Sequence, residues 1–191
     1  MIRPANALAV TCAVVGFACG SHRTDPTAAP IADFNKRVDA YVHLRDSLAN
    51  RMGPLEKTAS QSDIAARAVT LAELIRTARS SARPGDLFTA DVATVFATMI
   101  KEEYRRRPDS LKDSRKDTQR ELASEEVVDF EPKVNLVYPT SYPLPTFPAT
   151  LLPLLPRLPE NKLEYRIVKH SLILRDVEAN LIVDYMPNAV P

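Results

Sequence analysis

The stretch LEYRIVKHSLILRDVEANLIVDYM, residues 163–186, alternates apolar and polar residues almost without a break. A two-residue rhythm puts alternate side chains on opposite faces of a strand, so this text reads as a sheet with one apolar side. Leu163, Tyr165 and Ile167 share a face of a first strand. Leu172 and Leu174 share a face of a second, with Ile173 on the other; Leu181, Val183 and Tyr185 share a face of a third. Lys169-His170 is the first turn, although it lacks the glycine or asparagine such turns favour, and residues 177–180 form the second connection. Short connections between neighbouring strands make an antiparallel meander. One face of it must be covered, and the rest of the chain has to supply the cover.

That cover reads as helix. Phe34, Val38, Tyr41, Leu44, Leu48 and Met52 recur at spacings of three and four, with Asp33 as N-cap and Gly53-Pro54 as the stop. A second helix starts at Ser60 or Ser62 with Asp63 in its first turn; Ile64, Ala68, Leu71, Ile75 and Ala78 form its buried stripe. After the break at Arg83-Pro84-Gly85-Asp86, Thr89 caps a third helix whose inner face is Val92, Phe96, Met99 and Ile100. It runs out at the arginines 105–107, cations that suit a helix C-terminus. The fold class expected is α+β: about three N-terminal helices packed on a small C-terminal antiparallel sheet of three to four strands, in one domain over residues 33–191.

Between helices and sheet the composition changes twice. Residues 105–120 are mainly basic and residues 121–131 acidic. No aromatic interleaves with the basic run, which argues against nucleic acid, and a solvated linker over 105–131 is the expectation. Lys133 to Tyr138 alternates again, with Val134, Leu136 and Tyr138 on one face of a candidate fourth strand. Residues 139–159 carry prolines at 139, 143, 145, 148, 153, 156 and 159 among leucines and aromatics. Such density reads as a strap over the core, with one short helix from a Thr146 cap to Pro156, in preference to an exposed ligand for a proline-recognising domain.

The first twenty residues read as an export signal. Arg3 precedes the uncharged stretch 5–18, ANALAVTCAVVGFA, which is too short to span a bilayer comfortably. Two cleavage readings compete: a small-x-small site before Ser21, or a lipoprotein signal in GFACGS that makes Cys19 the lipidated first residue. Residues 21–32, SHRTDPTAAPIA, then form a flexible tether. The only cysteines are Cys12 and Cys19, so the body relies on its core and not on disulfides or thiol chemistry. The location expected is exported, periplasmic or membrane-anchored through Cys19.

Few features carry chemistry. A net charge of +1 offers no field for an anionic partner, and four glycines against sixteen prolines argue against phosphate-cradling loops. His22, His43 and His170 have no metal-ligand spacing, and no serine stands in a nucleophile-elbow motif. Asp176 and Glu178, with Asp184 across from them, admit two readings: a carboxylate group for acid–base or calcium chemistry, or the wet face of a sheet, which is the expectation. Arg79, Asp86, Tyr165 and Arg166 complete a candidate polar cluster. No catalytic, metal or cofactor residue is assigned, and no small-molecule substrate is identifiable.

Two resemblances bear on these readings. FNKRVDAYVHLRDSL, IRTARSSARPGDLFT and the stretch from TFPATLLPLLP to the C-terminus resemble uncharacterised exported bacterial proteins. The order LP, YRIV, LILRDV, LIVD over residues 158–185 resembles the end of periplasmic proteins of nickel and cobalt homeostasis, which carry glycine where this chain has Lys169 and Asn180. The second likeness implies strands and no metal ligand. The function expected is a non-enzymatic envelope protein, a binding or scaffolding module with an envelope protein or membrane lipid as partner. The alternative is a small periplasmic metal-handling protein or hydrolase whose site is assembled from distant residues.

Overall fold

A computed structural model of the chain describes residues 25–106, 130–142, 144 and 147–190. Three helices, α1 (Ala28–Arg51), α2 (Gln61–Ala78) and α3 (Ala90–Arg106), precede three strands, β1 (Leu163–Val168), β2 (Ser171–Asp176) and β3 (Leu181–Met186). The strands pair antiparallel in the order β1-β2-β3, so the α+β reading holds.

Each helix boundary has a local cause. α1 begins at Ala28, ahead of the expected Asp33, so residues 28–32 are helix and not tether. Pro30 falls in the first turn, where its missing N–H has no partner to lose, and the alanines around it favour helix. The cap is different as well: Thr27 is the N-cap and makes no side-chain cap bond, its N–H and hydroxyl being given to Asp25 at 2.9 and 2.8 Å, while Asp33 lies inside the helix and pairs with Arg37. Ser60 caps α2 in a reciprocal capping box with Asp63. Of the expected α2 stripe, Leu71 and Ile75 are buried, but Ile64 is 52% exposed and Ala78 is also exposed. At the level of Ile64 the inner side is taken by Arg67, which reaches Gly53 O at 2.7 Å. α3 buries Val92, Phe96 and Ile100 as expected, and Arg105 and Arg106 end it as helix, both paired with Glu102. Residues 107–129, most of the expected charged linker, lie outside the described residues, as do the leader, Cys19 and Thr146.

The sheet is covered on both faces. On one side Leu163, Tyr165, Leu172, Leu174, Leu181 and Val183 meet the helices and the strap residues Phe147, Leu151 and Leu155 in the main core. Phe34, Phe88, Phe96 and Tyr165 pack there with ring centroids 5.1–6.5 Å apart, Phe34 stacked on Phe88 and Tyr165 and Phe96 edge-on to all three. On the other side Val168, Ile173 and Ile182 pack with Phe130, Tyr138 and Tyr142 in a second cluster. The aromatic segment after residue 129 therefore roofs the face that sequence alternation leaves to water.

Two irregularities correct the strand reading. Residues 133–138 run beside β3, with Asn135 N bonding to Ile182 O and Ile182 N to Leu136 O, both at 2.8 Å, but they form only an isolated bridge at Val137–Leu181. Asn135 at φ 63° breaks their extended run. Within β3 a bulge sets Asp184 opposite Leu174 and Ile182 opposite Arg175, so Val183 is an extra residue. Beyond it the parity inverts: Tyr185 packs on the second cluster and does not share the face of Leu181 and Val183. The strap makes helical turns, Leu151 N to Pro148 O and Leu155 N to Leu151 O, without becoming a regular helix.

Candidate functional site

Asp176 and Asp184, expected on a wet sheet face, are both fully buried. β2 places Asp176 on the same face as Leu172 and Leu174, so its carboxylate enters the interface with α1. There Tyr41 donates its hydroxyl to Asp176 Oδ2 at 2.9 Å, Arg45 donates Nε at 3.0 Å, and the Ala179 backbone N–H meets Oδ1 at 2.8 Å. The charge is thus compensated by a guanidinium and hydrogen-bonded on both oxygens, the condition for burying a carboxylate.

Arg45 is the centre of a wider network. Its side chain is only 6% exposed, and it also pairs with Asp46 at 2.9 Å and with Glu178. Glu178 receives Arg67 Nε at 2.7 Å on its other oxygen, and Lys162 pairs with Asp46. Burial alone raises the Glu178 carboxyl, but the bonds from Arg67 and Arg45 outweigh it and hold it below the usual carboxylate range. Asp46 is lowered in the same way, burial being overcome by Lys162 and Arg45. Burial, reinforced by the charge of Asp176, pushes the Tyr41 hydroxyl well up, so it stays protonated as a donor. The network ties α1, α2, the approach to β1 and the β2–β3 turn together.

Asp184 solves its burial differently. The bulge turns it toward the α2–α3 connection, where Oδ2 accepts from Leu87 N at 2.7 Å and Phe88 N at 2.9 Å. Oδ1 accepts from Gly85 N at 3.0 Å and Tyr185 N at 2.8 Å. Gly85, at φ 89°, lets the loop curl around the carboxylate in a conformation other residues resist. Arg79 closes the corner: Nη1 donates to Val183 O at 3.1 Å and Asn135 Oδ1 at 3.2 Å, and its guanidinium stands 5.1 Å from the Tyr41 ring centroid. Burial draws the Arg79 pKa down, against the opposing negative charges of Asp184 and Asp86.

Of the candidate cluster, then, Arg79, Asp176 and Asp184 line one belt between helices and sheet, with Tyr41 joining them. Asp86 is at its exposed rim, accepting from Arg83 N. Tyr165 and Arg166 are elsewhere. Tyr165 is in the aromatic core with its hydroxyl on Pro156 O at 3.1 Å, and Arg166 joins Glu164 on the opposite sheet face. Glu164 also takes Arg175, whose guanidinium lies 5.4 Å from the Tyr138 ring centroid. Burial raises the Glu164 carboxyl, but Arg166 and Arg175 prevail and lower it. Among the described residues no three histidine, cysteine or acidic side chains are grouped to hold a metal ion.

Sequence reasoning missed Arg45, and a signal for it existed. Positions 34, 38, 41, 45, 48 and 52 follow the helical repeat more faithfully than the series through Leu44, and Arg45 is buried while Leu44 is half-exposed. A charge on the inner stripe of a helix calls for a buried partner elsewhere in the chain, which here is Asp176.

Two surface grooves among the described residues flank these charged groups, the first sharing Arg67 with the Arg45–Glu178 network. One, of about 520 Å³, lies at the α1–α2 turn between Met52, Leu55, Thr58, Asp63 and Arg67. Another, of about 440 Å³, separates Ile31, Asn35 and Val38 of α1 from residues 156–159 of the strap. Comparison with protein-family models, with curated proteins and with solved structures gives no match to this chain.

Proposed function

We propose that the protein is an exported, non-enzymatic envelope protein, a binding or scaffolding module held at a membrane by lipid on Cys19. The observation that favours a module over a catalyst is the state of the buried acids. Asp176 and Asp184 spend both oxygens on groups that close the fold, and the arginines around them are spent likewise. A general acid, base or cation ligand needs an atom facing a substrate, and these face backbone N–H groups and structural cations. The export half of the reading comes from the apolar stretch of residues 5–18 and the GFACGS sequence that follows.

Two measurements test it. The chain is expressed with its own leader, as wild type and as Cys19→Ser, with labelled palmitate and cell fractionation. Label and membrane association in the wild type, both lost in the variant, are expected; an unlabelled wild type removes the anchor. Separately, thermal unfolding is followed with a panel of divalent metals. A transition indifferent to metals is expected, and strong stabilisation by one metal overturns the scaffold reading in favour of metal handling.

A further inference from the structure

The strap carries a feature the folded body does not use. Leu152, Pro153 and Leu154 are three consecutive exposed apolar residues; Leu152 is 53% and Leu154 36% accessible. Their neighbours Leu151 and Leu155 are buried and pin the turn to the main core. A run of exposed apolar side chains on a pinned turn is costly in water unless something covers it. We propose that Leu152-Pro153-Leu154 is a membrane-surface finger that inserts into the headgroup layer beside the lipid anchor, with Arg157 on the anionic phosphates. This inference rests on the anchored reading above.

Three observations select a bilayer. The first is position. The strap end and the first turns of α1 face each other across the groove between Ile31, Asn35 and residues 156–159. α1 begins at Ala28, so only residues 20–27 separate it from Cys19, a span of at most about 32 Å. An acylated Cys19 therefore holds this corner of the body within reach of the headgroups. The second is backbone chemistry. Pro153 has no N–H, and the Leu154 N–H is already bonded to Leu151 O at 3.1 Å, so the tip brings few unsatisfied donors into an apolar layer. The third is charge. Arg157 is exposed and in no ion pair among the described residues, so an anionic surface gains a contact without breaking one. A proline-recognising protein fits less well, because it reads extended left-handed chain and this segment is a helical turn.

The test is position-specific, because the leader stretch can bind lipid by itself. The full chain carrying Cys12→Ser and Cys19→Ser receives a single fluorescent label at Leu154→Cys or, as control, at the exposed Lys101→Cys of α3. Each is mixed with phosphatidylethanolamine–phosphatidylglycerol vesicles containing a spin-labelled quencher lipid. Quenching at position 154 and not at 101 is expected, with partitioning falling about tenfold when Leu152→Ser is added. Unquenched label at 154 on bound chains, equal quenching at both positions, or no vesicle binding each overturns the proposal. So does a blue shift at 154 that grows with protein concentration without vesicles, which assigns the finger to a second copy of this chain. Cys19 is absent from these chains, so palmitate labelling judges the anchor independently.

Discussion

Asp184 shows what one side chain holds in this protein. Its carboxylate takes the N–H groups of Gly85, Leu87 and Phe88, leaving that connection without other backbone partners for those donors among the hydrogen bonds described. Asp184→Ala strands all three in a buried corner. A loss of about 3 kcal/mol is expected, seen as a Tm lower by about 6–12 °C. Asp184→Asn keeps one acceptor but turns an amide toward N–H groups, so it recovers less than half of the loss. Arg45 gives the complementary case. Arg45→Met leaves Asp176 buried with only Tyr41 and Ala179 as partners and costs about 3–5 kcal/mol. Adding Asp176→Leu removes the stranded charge, so the double variant regains much of that stability; a double variant as unstable as the sum of both singles contradicts the pairing.

At the scale of elements, the turns reveal how a glycine-poor chain makes its corners. Lys169, Asn135, Asn161, Asn180 and Asn188 all occupy the left-handed region, where side chains other than asparagine and glycine fit badly. Lys169, at φ 53°, opens the β1–β2 turn with no such advantage. Lys169→Gly should therefore stabilise by up to about 1 kcal/mol, and Lys169→Val destabilise by more than that, as read by denaturant midpoints. What sequence made legible follows from the reach of each signal. Alternation located all three strands, and the serines at 60 and 62 with Asp63 bracketed the start of α2, because these are properties of neighbouring residues. The bulge was not legible, since one extra residue in β3 is defined only against β2, and it is the bulge that moves Tyr185 off the main core and Asp184 into it. The buried pair of Tyr41 and Arg45 with Asp176 was invisible for the same reason: an alternating aspartate looks alike on a wet face and on a neutralised dry one. Pro30 misled in the other direction, as a breaker that the first helical turn accommodates.

For the whole molecule, the charged groups make the two sides of the sheet respond together to acid. Glu178 and Asp46 on the helix side, and Glu164 on the other, all have carboxyls held below their ordinary values by arginine or lysine partners. Their folded pKa values lie under the unfolded ones, so the unfolded chain binds more protons in the acid range. Their stabilisation is full above the unfolded pKa of about 4, and it is lost as pH falls through the folded values. Each group is part-exposed, so each contributes modestly, but Arg45 shares Glu178, Asp46 and Asp176, and releasing one loosens its neighbours. Tm should be nearly level from about pH 7 to pH 5 and fall steeply below about pH 4. Glu178→Gln, already lacking one of these charges at pH 7, should start from a lower Tm and show a shallower acid slope. An identical slope in wild type and variant means that Glu178 is not linked to folding, and the bridge it makes from Arg45 to Arg67 then contributes nothing to the closure of helices on sheet.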